Sequence, residues 1–233
     1  MNHMTSRTIT YHFAFTDGSS WKYELEFDRD FRFINTKDTP AKPWTALDFN
    51  QCPHCPLNQA TSPQCPVARN LDQIVEDSKN TISYTPATVS VITAERTYVK
   101  KCATQEGLRS LFGMIMGASG CPHLDWFRPM ARFHLPFSDS EETLFRVLSL
   151  QLLIKFFEDE RGDIGQCAEQ IQARYDAVQK VNHAFIKRIR SYCDADADKN
   201  ALAALDMYSQ LFQFQQAVRF ESIQGYFKQE KHG

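Results

Sequence analysis

Hydrophobic and polar residues alternate in the first 27 positions and predict a β-hairpin. Apolar residues occupy every second position from 9 to 15 and again from 21 to 27. The dipeptide Asp17-Gly18 between the two runs is typical of a tight hairpin turn. Phe31 and Phe33 continue the alternation. They predict a third strand.

Residues 87–99 are rich in β-branched side chains and predict further extended structure. They form either one strand or two strands joined near Ala94-Glu95. Before them, apolar residues at helical spacing predict a short helix that starts at Cys65-Pro66. The chain up to residue 103 is therefore expected to be mainly antiparallel β-structure.

From residue 104 the apolar residues follow a helical period. Within residues 105–116 the apolar side chains fall on one face of a helix, which predicts a first helix there. Ser138 with Glu141 is a capping box ahead of a second helix, which runs to about Asp159 and is apolar on most of its circumference. We expect that helix at the centre of a bundle. A third helix is predicted from residues at helical spacing that form one face: Ile171, Tyr175, Val178, Asn182, Phe185 and Ile189. A fourth helix is predicted at about residues 200–220.

These elements predict an α+β protein with segregated β and α parts. Residues 1–103 form the β-rich part, with a cysteine-rich loop at about residues 50–67. Residues 104–233 form an antiparallel helical bundle. We expect the two parts to pack as one unit, since the chain is long enough for one large domain.

Composition narrows the classes of function. The chain has 233 residues, a net charge of −2 and 42% hydrophobic residues, which is typical of a globular protein with no affinity for nucleic acid. No apolar stretch is long enough to span a bilayer, and the first residues lack an export signal. An odd number of cysteines, seven, disfavours a disulfide framework. We therefore expect a cytoplasmic protein that does not bind membranes.

Four of the seven cysteines are followed directly by proline: Cys52, Cys55, Cys65 and Cys121. Proline suits the first position of a helical turn, and the residue before it adopts the extended backbone of an N-cap. The N–H groups two and three residues further on then point at each sulfur. Such donors favour the thiolate, which is the form that binds metal. The pattern predicts one metal site with four cysteine ligands.

The spacing does not identify the metal. Cys52 and Cys55 have the Cys-x2-Cys spacing of zinc sites, but Cys65 and Cys121 come singly, which departs from the paired zinc pattern. The same set is typical of many iron–sulfur clusters. Without a metal, these residues are small buried hydrophobic groups, or Cys52 and Cys55 form a redox pair. Zinc is the favoured interpretation and an iron–sulfur cluster is the alternative.

Three histidines lie near these cysteines or in a connector that can reach them. His54 and His123 each follow a cysteine by two positions, and either can replace a ligand or donate a hydrogen bond to sulfur. His134 lies in an extended connector. A metal-dependent enzyme would use His123 or His134 beside the ion and would bind it with only three cysteines, because a catalytic zinc keeps one position open. Whether the protein is an enzyme stays undecided at this point.

Several short motifs together resemble an uncharacterised family of bacterial proteins of unknown function. The motifs are Cys-Pro-His-Cys-Pro-Leu at 52–57, Cys-Pro-Val-Ala at 65–68, Ser-Gly-Cys-Pro at 119–122 and Arg-Phe-His-Leu-Pro-Phe at 132–137. The resemblance covers most of the chain and implies no activity. We expect a regulatory or protein-interaction role, with a protein partner or a second copy of the chain contacting the helical part.

Overall fold

The computed structural model describes residues 7–34, 40–157 and 164–193. Side chains are described within these ranges except at residues 164–168. The strands are β1 (Arg7–Phe15), β2 (Ser20–Phe27), β3 (Phe33–Ile34), β4 (Pro86–Ile92) and β5 (Thr97–Ala103). The helices are α1 (Pro66–Ser78), α2 (Thr104–Gly117), α3 (Arg128–Arg132), α4 (Ser140–Phe157) and α5 (Ile164–Tyr192). The helix predicted at residues 200–220 lies outside the described residues.

All five strands form one antiparallel sheet in the order β3-β2-β1-β4-β5. Tyr11 on the central strand pairs with Tyr23 on one side and Val91 on the other. The alternation that predicted the hairpin is seen as alternating burial along β1 and β2. The predicted third strand is present, and residues 87–99 contribute to two strands rather than one. The prediction of an α+β fold is confirmed.

One continuous core joins the sheet to the helices. It contains residues of β1, β2 and β4 together with residues of α1, α2 and α5. Helix α2 approaches β1 very closely at Gly107, where an added Cβ would lie 2.5 Å from the ring of Phe13. The helical stripe predicted for α5 is buried over its whole length, from Ile171 to Ile189. The β-rich part and the helices therefore share their apolar interior.

Helix α4 begins one residue later than its predicted capping box. Asp139 Oδ1 accepts hydrogen bonds from the backbone N–H groups of Glu141 and Glu142, at 2.9 and 2.8 Å. The Glu142 carboxylate accepts the N–H of Asp139 in return, at 2.9 Å. The reciprocal pair that defines a capping box is thus Asp139 with Glu142, not Ser138 with Glu141.

The apolar circumference of α4 is only partly covered. Leu144 and Val147 are buried, but five large apolar side chains of the helix are exposed: Phe145, Leu152, Leu153, Phe156 and Phe157. The described residues therefore do not confirm the predicted position at the centre of a bundle.

Candidate metal centre

The four proline-linked cysteines meet at one small enclosed cavity. It lies between the cysteine-rich loop, the first turn of α1, the turn after α2 and one face of α5, and its volume is about 20 Å³. The cysteines that line it are Cys52, Cys55, Cys65 and Cys121. A cavity of this size holds about one water molecule. The fold therefore brings together the cysteines that lie in separate parts of the sequence.

Local backbone structure positions each cysteine. Cys65 is the N-cap of α1 with extended backbone angles (φ −68°, ψ 119°) and a proline in the first turn, as predicted, but its sulfur makes no capping hydrogen bond. Cys52 and Cys55 form a turn closed by a 3.0 Å hydrogen bond from the Cys55 N–H to the Cys52 carbonyl. Gly120, with φ +81°, turns the chain after α2 and delivers Cys121.

The predicted N–H donors reach the sulfur of Cys121 but do not decide its charge. Hydrogen bonds from the backbone of His123 and Leu124 lower the pKa of Cys121, yet burial outweighs them and raises that pKa to about 12. Burial, helped by the neighbouring Cys65 and Cys55, likewise raises the pKa of Cys52 to about 11. The expectation that the turns favour thiolate is therefore wrong for these two cysteines. Burial destabilises the charged thiolate by more than the backbone N–H donors stabilise it.

Arg188 of α5 holds the loop that leads to the cysteines. Its side chain is buried, and Nη1 donates hydrogen bonds of 2.6 Å to the carbonyls of Trp44 and Ala46. Nη2 donates a third, of 3.2 Å, to Leu47. The guanidinium also lines the cysteine cavity and interacts electrostatically with the cysteines. No sequence motif singles out Arg188, although it lies three positions after Phe185 and thus on the buried face of α5.

His54 and His123 stack on each other beside the cavity. Their ring centroids are 3.9 Å apart and their planes differ by 25°. His54 Nε2 donates to the carbonyl of Ala177 on α5 at 3.1 Å, and His123 Nε2 donates to the carbonyl of His54 at 2.8 Å. Since carbonyl oxygens only accept, the neutral rings carry their lone pairs on Nδ1. His54 Nδ1 is buried without a partner among the described residues, and His123 lines the cavity.

His134 lies elsewhere in the protein. Its Nε2 is 2.5 Å from the hydroxyl of Tyr11, and the ring lines a larger cavity bounded by α2, α3, α4 and α5. Burial, with a smaller contribution from Arg146, lowers its pKa to about 3. Of the predicted site residues, the four cysteines and His123 share one cavity, His54 packs against His123, and His134 is not part of that group.

The four cysteines line one cavity, but their side chains are not arranged to coordinate a metal ion. Within residues 7–34, 40–157 and 164–193, no group of three or more His, Cys, Asp or Glu side chains is arranged so that it could hold a metal ion. All six cysteines of these ranges whose side chains are described are free thiols. Metal binding therefore remains a hypothesis that rests on the shared cavity and on the chemistry of the donors.

A protein-family profile described as Domain of unknown function (DUF6901) matches residues 9–228. The chain belongs to this family. The match confirms the resemblance to a family of unknown function, and membership of DUF6901 carries no activity with it. No curated protein and no solved structure matches the chain. Among the described residues of this DUF6901 protein, no helix has the length and hydrophobicity needed to cross a membrane.

Proposed function

We propose that Cys52, Cys55, Cys65 and Cys121 bind one zinc ion that stabilises the fold of a cytoplasmic regulatory or interaction protein. The observation that supports this proposal is that all four cysteines line one cavity. Four thiolates are the ligand set of closed, structural zinc sites. Some of the four side chains change rotamer on binding, because the present arrangement is not a ligand set. The bound ion displaces the thiol protons, as zinc does when it coordinates cysteine.

The size of the cavity favours a single ion over an iron–sulfur cluster. About 20 Å³ accommodates one water-sized group, whereas a cluster contains several iron and sulfide atoms. The charge also fits, since four thiolates around one Zn²⁺ carry a net negative charge and the buried guanidinium of Arg188 lies against the same cavity. Zinc therefore remains the favoured metal.

A structural role for the metal is better supported than a catalytic one. A catalytic zinc keeps one coordination position open to substrate. The cysteine cavity is small and enclosed, and His134 does not line it. The zinc would instead hold the cysteine-rich loop against α5 and against the turn after α2. The protein would then act through its helical part, where the exposed apolar side chains of α4 are available to a protein partner or to a second copy of the chain.

Metal analysis of protein purified without oxygen tests the proposal. We expect colourless protein with one zinc per chain, and loss of that zinc in Cys65→Ser and Cys121→Ser. Cys102→Ser is the matched control, because Cys102 lies on β5 and does not line the cavity, and it should retain the metal. Co²⁺ binding to the wild-type chain provides a second readout, since four thiolates give strong thiolate-to-cobalt charge-transfer absorption.

Other outcomes discriminate between the alternatives. Brown protein that contains iron and sulfide would identify the cluster instead of zinc. Protein with neither metal, no cobalt–thiolate absorption, and Cys52 or Cys121 variants that fold normally would contradict the metal hypothesis as a whole.

A further inference from the structure

A second, larger cavity lies between α2, α3, α4 and α5. Its volume is about 180 Å³ and it is partly open to solvent. Most of its wall is apolar; the wall includes Met114, Met116, Leu124, Phe127, Met130 and Val178. An apolar cavity of about 150 Å³ is large enough to hold benzene. This cavity therefore has room for a small organic molecule.

The charged side chains on the wall are all cationic. Arg109 and Arg146 line the cavity, and none of the described residues that line it is Asp or Glu. Arg146 is half-buried, and its Nη2 donates to the carbonyls of Met130 and Phe133 at 2.8 and 2.9 Å. It makes no ion pair among the described residues. Glu142 acts on it electrostatically, but that carboxylate is exposed and caps α4. The cavity thus favours an anion.

Asn182 of α5 adds an unpartnered polar group. Its side chain is only 2% exposed and lines the same cavity. No hydrogen bond to its amide is found within the described residues. Because this cavity is partly open to solvent, a ligand with a polar group can take the place of water as the hydrogen-bond partner of the amide.

Two further polar side chains on the wall, those of Ser110 and His134, are hydrogen-bonded within the protein. Tyr11 Oη lies 2.5 Å from His134 Nε2 and 2.9 Å from Ser110 Oγ, and the N–H of Phe137 donates to Ser110 Oγ at 3.4 Å. Ser110 is 3.5 Å from His134 Nε2, which Tyr11 already engages. His134 stays neutral because burial lowers its pKa to about 3, so it is a poor base for Ser110. The geometry therefore favours binding over hydrolytic chemistry.

We propose that this cavity binds a small organic carboxylate, of roughly the size of benzoate or hexanoate. Arg146 holds the carboxylate through its remaining N–H groups, and the amide of Asn182 contributes a hydrogen bond. The methionines and Phe127 surround the apolar body of the ligand. The site is separate from the cysteine cavity and does not depend on the presence of a metal there.

Calorimetric titration of the full chain with benzoate and with hexanoate tests the proposal, and benzamide serves as the uncharged analogue. We expect saturable benzoate binding that is at least about tenfold tighter than benzamide binding, because a hydrogen bond to a charged group is stronger than one to a neutral group and tenfold corresponds to only about 1.4 kcal/mol. Arg146→Gln should weaken benzoate binding at least about tenfold. Arg190→Gln is the matched control, since Arg190 is exposed on α5 and should leave the affinity unchanged.

A measurement on the wild-type chain covers the case in which Arg146→Gln does not fold. In ¹³C-methyl spectra, benzoate should shift the signals of the cavity methionines Met114, Met116 and Met130. Equal affinity for benzoate and benzamide, an unchanged affinity in a folded Arg146→Gln variant, or the absence of any shift at these methionines would each overturn the proposal. Absence of benzoate and hexanoate binding at millimolar concentrations would also overturn it.

Discussion

At the scale of single residues, Cys52, Cys121 and His134 show how burial sets charge in this protein. The local hydrogen bonds that favour thiolate at Cys121 are present, but the surrounding protein excludes water and the thiol stays protonated. His134 is held neutral for the same reason. Each of these groups costs free energy when it is charged, unless an ion or a ligand compensates that cost.

The buried His134 predicts an acid-sensitive fold. Its pKa is about 3 in the folded protein, against 6.5 in an unfolded chain, and the groups that face it are Tyr11, Ser110 and Arg146. As the pH falls below 6.5, the unfolded chain binds a proton that the folded protein does not. The free energy of unfolding should therefore decrease by up to about 1.4 kcal/mol per pH unit from this residue alone.

Urea unfolding at several pH values between about 4 and 7 measures this effect. His134→Gln keeps a hydrogen-bond acceptor for Tyr11 and removes the titration, so its stability should fall less steeply with decreasing pH than that of the wild type. The carboxylates titrate in both proteins and cancel in the comparison. Parallel curves for the two proteins would show that His134 is not held neutral.

The sequence could identify the cysteines but not the residues around them. A proline after each of four cysteines is visible without a structure, and it correctly predicts the N-cap position of Cys65. Arg188 and Asn182 are polar residues on the apolar stripe of α5, so their role depends on what packs against them. The wall of the larger cavity is formed by four helices and their connections. No local sequence pattern predicts that these elements come together around a cavity.

At the scale of elements, periodicity predicted most strands and helices, whereas the residues at which they begin and end could be identified only from the structure. The alternation in β1 and β2 and the stripe of α5 are long, regular patterns, which makes them readable from sequence. The N-terminus of α4 is ambiguous, because Ser138 and Asp139 are both good caps and Glu141 and Glu142 both complete a capping box. The backbone conformation of the connector that precedes α4 determines whether Ser138 or Asp139 is the N-cap.

Two alanine variants test which residue caps α4. Asp139→Ala removes the acceptor for the N–H groups of Glu141 and Glu142 and should lower the free energy of unfolding by about 1 kcal/mol. Ser138→Ala removes only a 3.3 Å contact with Thr143 and should cost less than about 0.5 kcal/mol. Chemical denaturation of both variants gives the values. A larger loss for Ser138→Ala would restore the capping box that the sequence predicts.

At the scale of the whole molecule, the cysteine cavity connects parts of the chain that are far apart in sequence. It is lined by the loop at residues 47–57, the start of α1, the turn after α2 and the C-terminal half of α5. Arg188 reinforces the same junction through the carbonyls of Trp44, Ala46 and Leu47. A metal bound there would stabilise the tertiary structure rather than a single element.

Removal of the proposed zinc should therefore destabilise the whole protein. A structural zinc contributes on the order of 10 kcal/mol, so we expect a strong chelator to lower the melting temperature by more than about 10 °C. The loop at residues 47–57 should also become sensitive to protease. Calorimetry and limited proteolysis before and after chelation measure these effects.

The cysteine variants supply the controls for this experiment. Cys102→Ser should respond to the chelator as the wild type does, whereas Cys121→Ser should have a low melting temperature that the chelator no longer changes. A wild-type melting temperature that stays constant while zinc is removed would show that the metal does not stabilise the fold.

The fold class could be predicted from sequence, but the sheet order could not. A hairpin signal joins β1 to β2, and another short turn joins β4 to β5. Nothing local indicates that β4 pairs with β1, because that contact depends on how the two hairpins pack against the helices. Within the described residues, the exposed apolar side chains of α4 likewise do not confirm the central position that its apolar sequence predicts.

The pairing of β1 with β4 has a consequence for how the chain folds as it is synthesised. Thr10 pairs with Ile92 and Phe15 with Ala87, so the inner edge of the first hairpin, which is complete at Phe27, stays unpaired until residues 28–92 have left the ribosome. During that interval its unpaired N–H and C=O groups can join to another nascent chain. A chaperone that shields this edge should raise the yield of native protein.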